Sequence, residues 1–161
     1  MELKFCLSHS FNLICVTPYH FIGRFLCASD LDCSTPHGVI GQMTSYLLEL
    51  SLLHYPFVEA KSSLVAAASV FLARLNLGIS DHNGRIWSAA LEYYSRHNAT
   101  DLEETVLELH QLQYNAEDSP LKIVVIKCKS KKCGFVSHKT VLRVEDLKSS
   151  FESGNNVKKF S

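Results

Sequence analysis

The sequence predicts an all-helical protein, a bundle of five to six helices around a buried central helix. Apolar residues recur three and four positions apart in most segments, and strand signals are few. One stretch, residues 63–75, is almost entirely apolar or small, as expected for a helix enclosed by others. A hydroxyl residue precedes a proline, a typical helix start, at three places: 17–18, 34–36 and 119–120.

The composition is that of an ordinary globular domain. The chain has 161 residues, of which 47% are hydrophobic and 20% are charged. This length suffices for one domain with a core of its own, or for one domain with a tail. The formal net charge is zero, so no overall field attracts the chain to nucleic acid or to acidic lipid.

Two helices are predicted in the first third of the chain, over 18–28 and 37–54. Tyr55-Pro56 closes the second one, because the residue before a proline is disfavoured in helical conformation. Each helix has an apolar face, formed in the first by Phe21, Ile22, Phe25 and Leu26 and in the second by Val39, Ile40, Met43, Leu47, Leu50 and Leu53.

The third helix, over 62–76, is the predicted centre of the bundle, with residues 66–72 as its most buried stretch. Its alanine run lets neighbouring helices approach closely, while Phe71 and Leu72 fill space. Gly78 is expected to end it in a left-handed conformation.

A fourth helix, over 86–95, contains the single tryptophan, Trp87. A fifth, over 101–114, follows Thr100-Asp101-Leu102-Glu103, which matches a capping box. Asn98-Ala99-Thr100 also matches a glycosylation sequon, but the helix cap explains these residues better.

The sixth helix is predicted over 119–132. A short strand is a competing interpretation because residues 123–125 are β-branched. Periodicity weakens beyond about residue 140, and the end of the chain is expected to form a flexible tail.

Motifs that carry chemistry are not found, so no catalytic, cofactor-binding or metal-binding residue is predicted. The sequence contains neither a phosphate-binding glycine loop nor a nucleophile elbow, and its eight histidines do not cluster. The six cysteines form no C-x-x-C pair and are interpreted as buried free thiols. The alternate lysines of the basic run spread charge around a helix, which argues against nucleic-acid binding: Lys127, Lys129, Lys131 and Lys132.

Two further absences bear on location. The start of the chain shows no signal-peptide pattern. The longest apolar run, 64–73, is about half the length that a membrane span requires. We therefore expect an intracellular, soluble protein without a membrane partner.

Six segments, in order, resemble A- and B-type mitotic cyclins. Residues 11–26 resemble the hinge between the two cyclin boxes, 46–53 the Y-L-x-E-L-(S/T)-L-L motif, and 62–68 the P-S-x-I-A-A-A helix. Trp87 with 91–95 is similar to the W-x-x-x-L-x-x-Y-(S/T) element, 102–112 to the penultimate helix, and 121–137 to the closing basic run. The sequence departs from the family at Val16, Cys128 and Cys133, which replace a proline, a tyrosine and an aromatic residue.

The resemblance implies a domain order: a remnant of the inter-box region over 1–16, the C-terminal cyclin box over 17–137 and the flexible tail over 138–161. The family's first box, with its M-R-A-I-L helix and the lysine and glutamate that grip the kinase, has no counterpart in the sequence. The expectation is therefore a partial or alternatively started cyclin.

The function implied by the resemblance is that of a regulatory subunit of a cyclin-dependent Ser/Thr kinase in mitosis and cell division. Such a protein is not an enzyme and is found in the nucleus, the cytoplasm or both. Kinase binding is expected to be weak, and activation doubtful, without the first box.

Two alternatives remain open. A helical protein-interaction adaptor is possible, because the same fold serves other proteins. An exposed apolar patch where a first box would dock favours the cyclin over such an adaptor. An unrecognised enzyme would require a cleft with converging titratable groups.

Overall fold

The computed structural model describes residues 2–12, 14–29, 38–119 and 122–129, together with Leu147 and Phe151. These residues form the helices α1 (Glu2–Ser8), α2 (Tyr19–Ala28), α3 (Val39–Ser51), α4 (Pro56–Glu59), α5 (Ser62–Asn76), α6 (Ala89–Ser95), α7 (Ala99–Tyr114) and α8 (Ile123–Cys128). All the secondary-structure elements in these ranges are helices, which confirms the predicted all-α class.

Helix α5 is the centre of the bundle. It packs against α2, α3, α6 and α7, and α3 in turn contacts α7 and α8. All residues from Ala66 to Leu72 are fully buried, as predicted. The alanines allow this enclosure because a methyl side chain keeps neighbouring backbones close, whereas Val70, Phe71 and Leu72 fill the space between helices.

The end of α5 has the predicted glycine geometry. Gly78 has a positive φ of 64°. Its amide donates to the Leu75 carbonyl at 3.0 Å, and the Ile79 amide donates to the Arg74 carbonyl at 2.9 Å. These two bonds form a Schellman motif, which satisfies the last carbonyl groups of the helix.

Arg74 joins three parts of the bundle, a role that the sequence did not suggest. Its side chain is buried; Nε donates to the Ile86 carbonyl at 2.7 Å and Nη1 donates to the Ser29 carbonyl at 3.2 Å. The guanidinium therefore ties the end of α2 and the segment before α6 to the central helix.

Trp87 lies before α6, so the prediction of a helix from residue 86 was wrong at its start. Ser88 is the N-cap: its hydroxyl accepts a bond from the Leu91 amide at 3.3 Å. A capping residue has extended dihedrals, which excludes Trp87 from the helix. The indole instead donates to the His97 carbonyl at 2.9 Å.

The capping box of α7 is formed by other residues than predicted. The helix begins at Ala99, with Asn98 as its N-cap and Asp101 at the third helical position. The Asp101 carboxylate accepts a bond from the Asn98 backbone amide at 2.9 Å. An asparagine followed three residues later by an aspartate makes a capping box equivalent to the predicted one, and this box starts two residues earlier. Thr100 therefore lies inside the first turn of the helix.

Two other predicted boundaries also changed. Helix α3 ends at Ser51, where the Ser51 hydroxyl donates to the Leu48 carbonyl at 2.8 Å. Pro56 does not close this helix but opens α4 at its first position, where a missing amide costs no hydrogen bond. The predicted start signal of α3 at 34–36 lies outside the described residues.

Residues 123–128 form helix α8, which decides against the competing strand. Val124, Val125 and Cys128 provide its buried side. Ser119, the predicted start, lies in a non-helical segment, and the predicted end at 130–132 lies outside the described residues.

Two positions of the predicted tail are described, and both contact the bundle. Leu147 is fully buried, and the ring of Phe151 stacks on that of Phe71. The rest of residues 138–161 lies outside the described part of the chain.

Candidate protein-interaction surface

Apolar side chains cover α1 and the residues that connect it to α2. Helix α1 contains no buried residue. We call this region, together with Tyr19 at the start of α2, the N-terminal apolar segment; each of its large apolar side chains that the structure describes exposes 58% or more of its surface: Leu3, Phe5, Leu7, Phe11, Ile14, Val16 and Tyr19. A concentration of exposed apolar residues of this kind marks a surface that packs against another molecule or domain.

The helix of this segment is apolar on two sides. Leu3 and Leu7 are four residues apart and share one side, whereas Phe5 lies on the opposite side. If α1 packed against the bundle, only one of these two sides would be covered, and the other side would still face water. The sequence pattern therefore fits a helix that is enclosed by a partner on more than one side.

The segment has a defined conformation where α1 ends. Ser10 and Phe11 have positive φ angles of 51° and 57°, which are unusual for residues other than glycine. The Phe11 amide donates to the Cys6 carbonyl at 2.8 Å, and the Asn12 amide donates to the His9 carbonyl at 2.8 Å. These bonds offset the cost of the left-handed conformation, which is about 1–3 kcal/mol for each such residue.

The segment joins the bundle at the N-terminal ends of α2 and α5. The Ser62 hydroxyl donates to the Val16 carbonyl at 3.0 Å. The Thr17 hydroxyl lies 2.9 Å from Nδ1 of His20. The hydroxyl–proline pair at 17–18 lets the Thr17 hydroxyl accept a bond from a backbone amide of α2, but no such bond is observed.

Two titratable groups of the described residues have altered pKa values: Tyr46, which is buried in the core, and His97, which is partly buried. Burial raises the pKa of Tyr46 to about 12, with smaller contributions from the nearby Cys128 and Glu117. Burial lowers the pKa of His97; the carboxylate of Asp101 opposes this shift and the charge of Lys61 adds to it. Neither residue lines a described cavity.

The contact between Ser63 and His97 resembles a nucleophile and its base at first sight. The Ser63 hydroxyl lies 3.1 Å from Nε2 of His97. The same histidine accepts the Trp87 indole bond at its backbone carbonyl, and its amide donates to the Ser95 hydroxyl at 3.2 Å. These bonds connect the N-terminal ends of α5 and α7, which makes His97 a structural brace between helices.

In the described ranges no group of three or more His, Cys, Asp or Glu side chains is placed to hold a metal ion. No helix there combines the length and the apolar character that crossing a bilayer demands. Of the described cysteines only Cys128 is buried; Cys15 and Cys27 are exposed, so the interpretation of buried thiols was wrong for these two.

Two lysines of the predicted basic run form ion pairs. Lys127 Nζ lies 2.6 Å from Glu49 Oε1, and Lys129 Nζ lies 3.2 Å from Glu117 Oε1. Each lysine therefore has a glutamate beside it, and the Glu49 pair joins α8 to α3. Lys131 and Lys132 lie outside the described residues.

The sequence matches one protein family over most of its length. The profile of the family described as "Cyclin, C-terminal domain" matches residues 16–142. The chain belongs to the cyclin family. The match includes all helices from α2 to α8, whereas α1 precedes it.

Relatives of this cyclin-family chain include A-type and B-type cyclins. It is 35% identical to Cyclin-A2-3 of Arabidopsis thaliana over 132 residues, which are 82% of this chain and 29% of that protein. It is 35% identical to Cyclin-A2-1 of Oryza sativa subsp. japonica over 130 residues, 81% of this chain and 26% of that protein. It is 31% identical to the G2/mitotic-specific cyclin-B of Dictyostelium discoideum over 122 residues, 76% of this chain and 26% of that protein.

The chain thus spans between a quarter and a third of the length of these curated relatives. No solved structure matches the chain.

The residues that carry the cyclin resemblance are mostly structural in this chain. Tyr46 and Trp87 are buried, and Glu49 holds α8. Phe11, Val16 and Tyr19 of the N-terminal apolar segment fall within the hinge resemblance, whereas the exposed side chains of α1 were not singled out from the sequence. The available signal was the density of Leu and Phe in 3–11, a stretch with no place in the predicted bundle.

Proposed function

We propose that this cyclin-family chain is a regulatory protein without chemistry of its own, which acts through protein contacts with a cyclin-dependent Ser/Thr kinase in cell-cycle control. The relatives support this assignment, since their names are those of A-type cyclins and of a G2/mitotic-specific cyclin. We propose the nucleus, the cytoplasm or both as its location.

The observation that carries the proposal is the N-terminal apolar segment at the edge of an otherwise enclosed core. The side chains of α5 are covered by the other helices, whereas α1 buries none. A self-contained adaptor would not need seven exposed apolar side chains between residues 3 and 19. A cyclin box that packs against a further domain does need such a surface, and this supports the cyclin assignment over the adaptor.

We further propose that the N-terminal apolar segment packs against a first cyclin box when one is present, and that the second box alone offers the kinase a small surface. Interfaces below about 1,200 Å² usually give weak and transient association. The chain alone should therefore bind the kinase weakly, with a dissociation constant of about 10 μM or more.

Kinase binding tests the proposal directly. The purified chain is titrated against an immobilised mitotic cyclin-dependent kinase by biolayer interferometry. Saturable binding, weaker by about 100-fold or more than that of a two-box cyclin, is the expected result. No saturable binding up to about 500 μM would reject the kinase as a partner of this chain.

The role of the N-terminal apolar segment has its own test. The isolated first box of an A-type cyclin is added in trans to the chain and to the double variant Phe5→Ser/Leu7→Ser. The double variant Leu52→Ser/Val58→Ser removes apolar side chains elsewhere that are at least as exposed, and it is the control. Loss of association in Phe5→Ser/Leu7→Ser alone would support docking of the first box on the N-terminal apolar segment. Equal association of the unmodified chain and both variants would contradict it.

A further inference from the structure

A pocket of about 320 Å³ opens between the C-terminal ends of α3 and α7. Leu50 and Ala116 form its buried base, and Leu53 forms a partly exposed lip. Leu112 lines the α7 side, while Asn115 and Asp118 lie at the polar margin. A volume near the lower end of small ligand sites accommodates one bulky apolar side chain.

A second cavity of about 590 Å³ continues along the outer side of α7. Asn115 lines both cavities, which are therefore adjacent, and we call the two together the groove. Glu104 and Glu108 contribute carboxylates to the second cavity, next to Leu107 and Tyr114. Carboxylates therefore lie in both parts of the groove, Asp118 at the pocket between α3 and α7 and Glu104 and Glu108 in the second cavity, which we call the acidic end.

The groove is lined by three carboxylates, those of Asp118, Glu104 and Glu108, and by the two histidines His54 and His110. No lysine or arginine is among the described residues that line either cavity. The stretch 100–118 contains six acidic residues and no lysine or arginine. Glu117 is paired with Lys129, but it does not line the groove. An occupant that complements this surface carries positive charge, which disfavours nucleic acid and acidic lipid.

We propose that this groove binds a short extended segment of a partner protein, with one bulky apolar residue and lysine or arginine residues beside it. The apolar residue enters the pocket between α3 and α7, and the basic residues lie against Glu108 and Glu104. This site is distinct from the N-terminal apolar segment and does not depend on kinase regulation.

The helix geometry sets the spacing within the bound segment. A rise of about 1.5 Å per residue places Glu108 about 6 Å and Glu104 about 12 Å along α7 from Leu112. An extended peptide advances about 3.3 Å per residue. The basic residues should therefore stand about two and about four positions from the apolar one.

Fluorescence polarisation with defined peptides tests the proposal. The probes are fluorescein-labelled Lys-Ala-Lys-Ala-Phe and its reverse, Phe-Ala-Lys-Ala-Lys, because the groove does not fix the direction of the peptide. One of the two should bind the full chain saturably below about 1 mM, as expected for a small weak contact. Failure of both to bind at that concentration would overturn the proposal.

Two matched pairs of variants locate the binding. Leu53→Ser changes the lip of the pocket, whereas Leu52→Ser changes a neighbouring exposed leucine outside it. Leu53→Ser should weaken binding by about fivefold or more, and Leu52→Ser by less than about twofold. Equal effects of the two substitutions would overturn the assignment of the pocket.

The acidic end is tested with the double variant Glu104→Gln/Glu108→Gln. The double variant Glu59→Gln/Glu92→Gln changes the net charge equally at exposed glutamates outside the groove. The first pair should weaken binding by about threefold or more and reduce its salt dependence, since local charges act within about a Debye length. An equal loss in both pairs, or unchanged binding of a probe with Ser in place of Phe, would reduce the interaction to non-specific attraction and contradict the proposal.

Discussion

Phe151 stacks on Phe71, with the ring centroids 5.0 Å apart and the ring planes 9° apart. Phe71 is fully buried at the centre of α5, and the Trp87 ring lies beside it at 6.0 Å. A residue beyond α8, the last helix whose bounds the structure describes, therefore contacts the middle of the core. Leu147, also fully buried, lies four positions earlier in the sequence.

Phe71→Ala should lower the free energy of unfolding by about 3–5 kcal/mol, because it leaves a cavity inside the central helix layer. Urea denaturation followed by circular dichroism measures the loss. Phe5→Ala, at an exposed phenylalanine of α1, is the control and should cost less than about 0.5 kcal/mol. A loss below about 1 kcal/mol for Phe71→Ala would show that the residue is not in the core.

Phe151→Ala should cost about 1–2 kcal/mol, since the ring is only partly buried. The double variant with Phe71→Ala should show a coupling of about 0.5–1.5 kcal/mol in the same denaturation assay, as expected for a stacked aromatic pair. Strict additivity of the two substitutions would mean that the rings do not interact in solution.

Asn98→Ala should destabilise the protein by about 0.5–2 kcal/mol through loss of the α7 cap. Thr100→Ala is the informative comparison, because Thr100 lies inside the first turn, where alanine is the better helix former. The melting temperature of the Thr100→Ala variant should stay unchanged or rise slightly. A larger loss for Thr100→Ala than for Asn98→Ala in thermal denaturation would restore the capping box that the sequence predicted.

Tyr46 should make stability fall at alkaline pH. An unfolded tyrosine ionises near pH 10, whereas the folded protein holds the Tyr46 proton up to about pH 12. The folded state therefore binds more protons between these values, so its stability is complete below pH 10 and decreases as the pH rises.

Chemical denaturation at pH 9, 10 and 11 measures this effect. Tyr46→Phe removes the titrating phenol and should flatten the decline. Tyr114→Phe, at an exposed tyrosine, should leave the decline as it is. An unchanged slope in Tyr46→Phe would mean that the phenol is not protected by burial.

The sequence was sufficient for features determined by local chemistry and by a continuous apolar pattern. The uninterrupted apolar run predicted the burial of α5. A helix that is apolar on all sides exposes apolar side chains to water in every orientation unless other helices enclose it. Gly78 predicted the end of α5 for a related reason, since a left-handed residue after a helix favours glycine. These features require no knowledge of neighbouring helices.

Features that depend on tertiary contacts could not be predicted. The burial of Arg74 requires the Ser29 and Ile86 carbonyls, which come from distant parts of the chain. Trp87 has the spacing of a helical residue, but its indole bond to the His97 carbonyl fixes it outside α6. The groove between α3 and α7 likewise depends on how two helix ends meet, and no motif marks it.

The α7 cap was missed for a different reason. Two overlapping stretches each match the four-residue pattern of a capping box: Asn98 with Asp101, and Thr100 with Glu103. Local propensity favours both, and the structure uses the earlier one. Helix ends of this kind are uncertain by one or two residues from sequence alone.

We propose that this cyclin-family chain regulates a kinase through its surfaces and does not by itself reorder the kinase. Activation requires contacts that are stronger with the active than with the inactive kinase conformation. The resemblance to mitotic cyclins implies that these contacts come mostly from the first cyclin box, whereas the family match of this chain is to the C-terminal domain. The helices described here supply a braced second box and the N-terminal apolar segment.

Histone phosphorylation by a purified mitotic cyclin-dependent kinase is the most direct test. The kinase is assayed alone, with this chain and with a full two-box cyclin at equal concentration, using enough chain to saturate the binding measured by interferometry. With this chain, we expect a rate close to that of the kinase alone. A rate within about tenfold of the full cyclin, a difference of roughly 1.4 kcal/mol in activation free energy, would contradict the account.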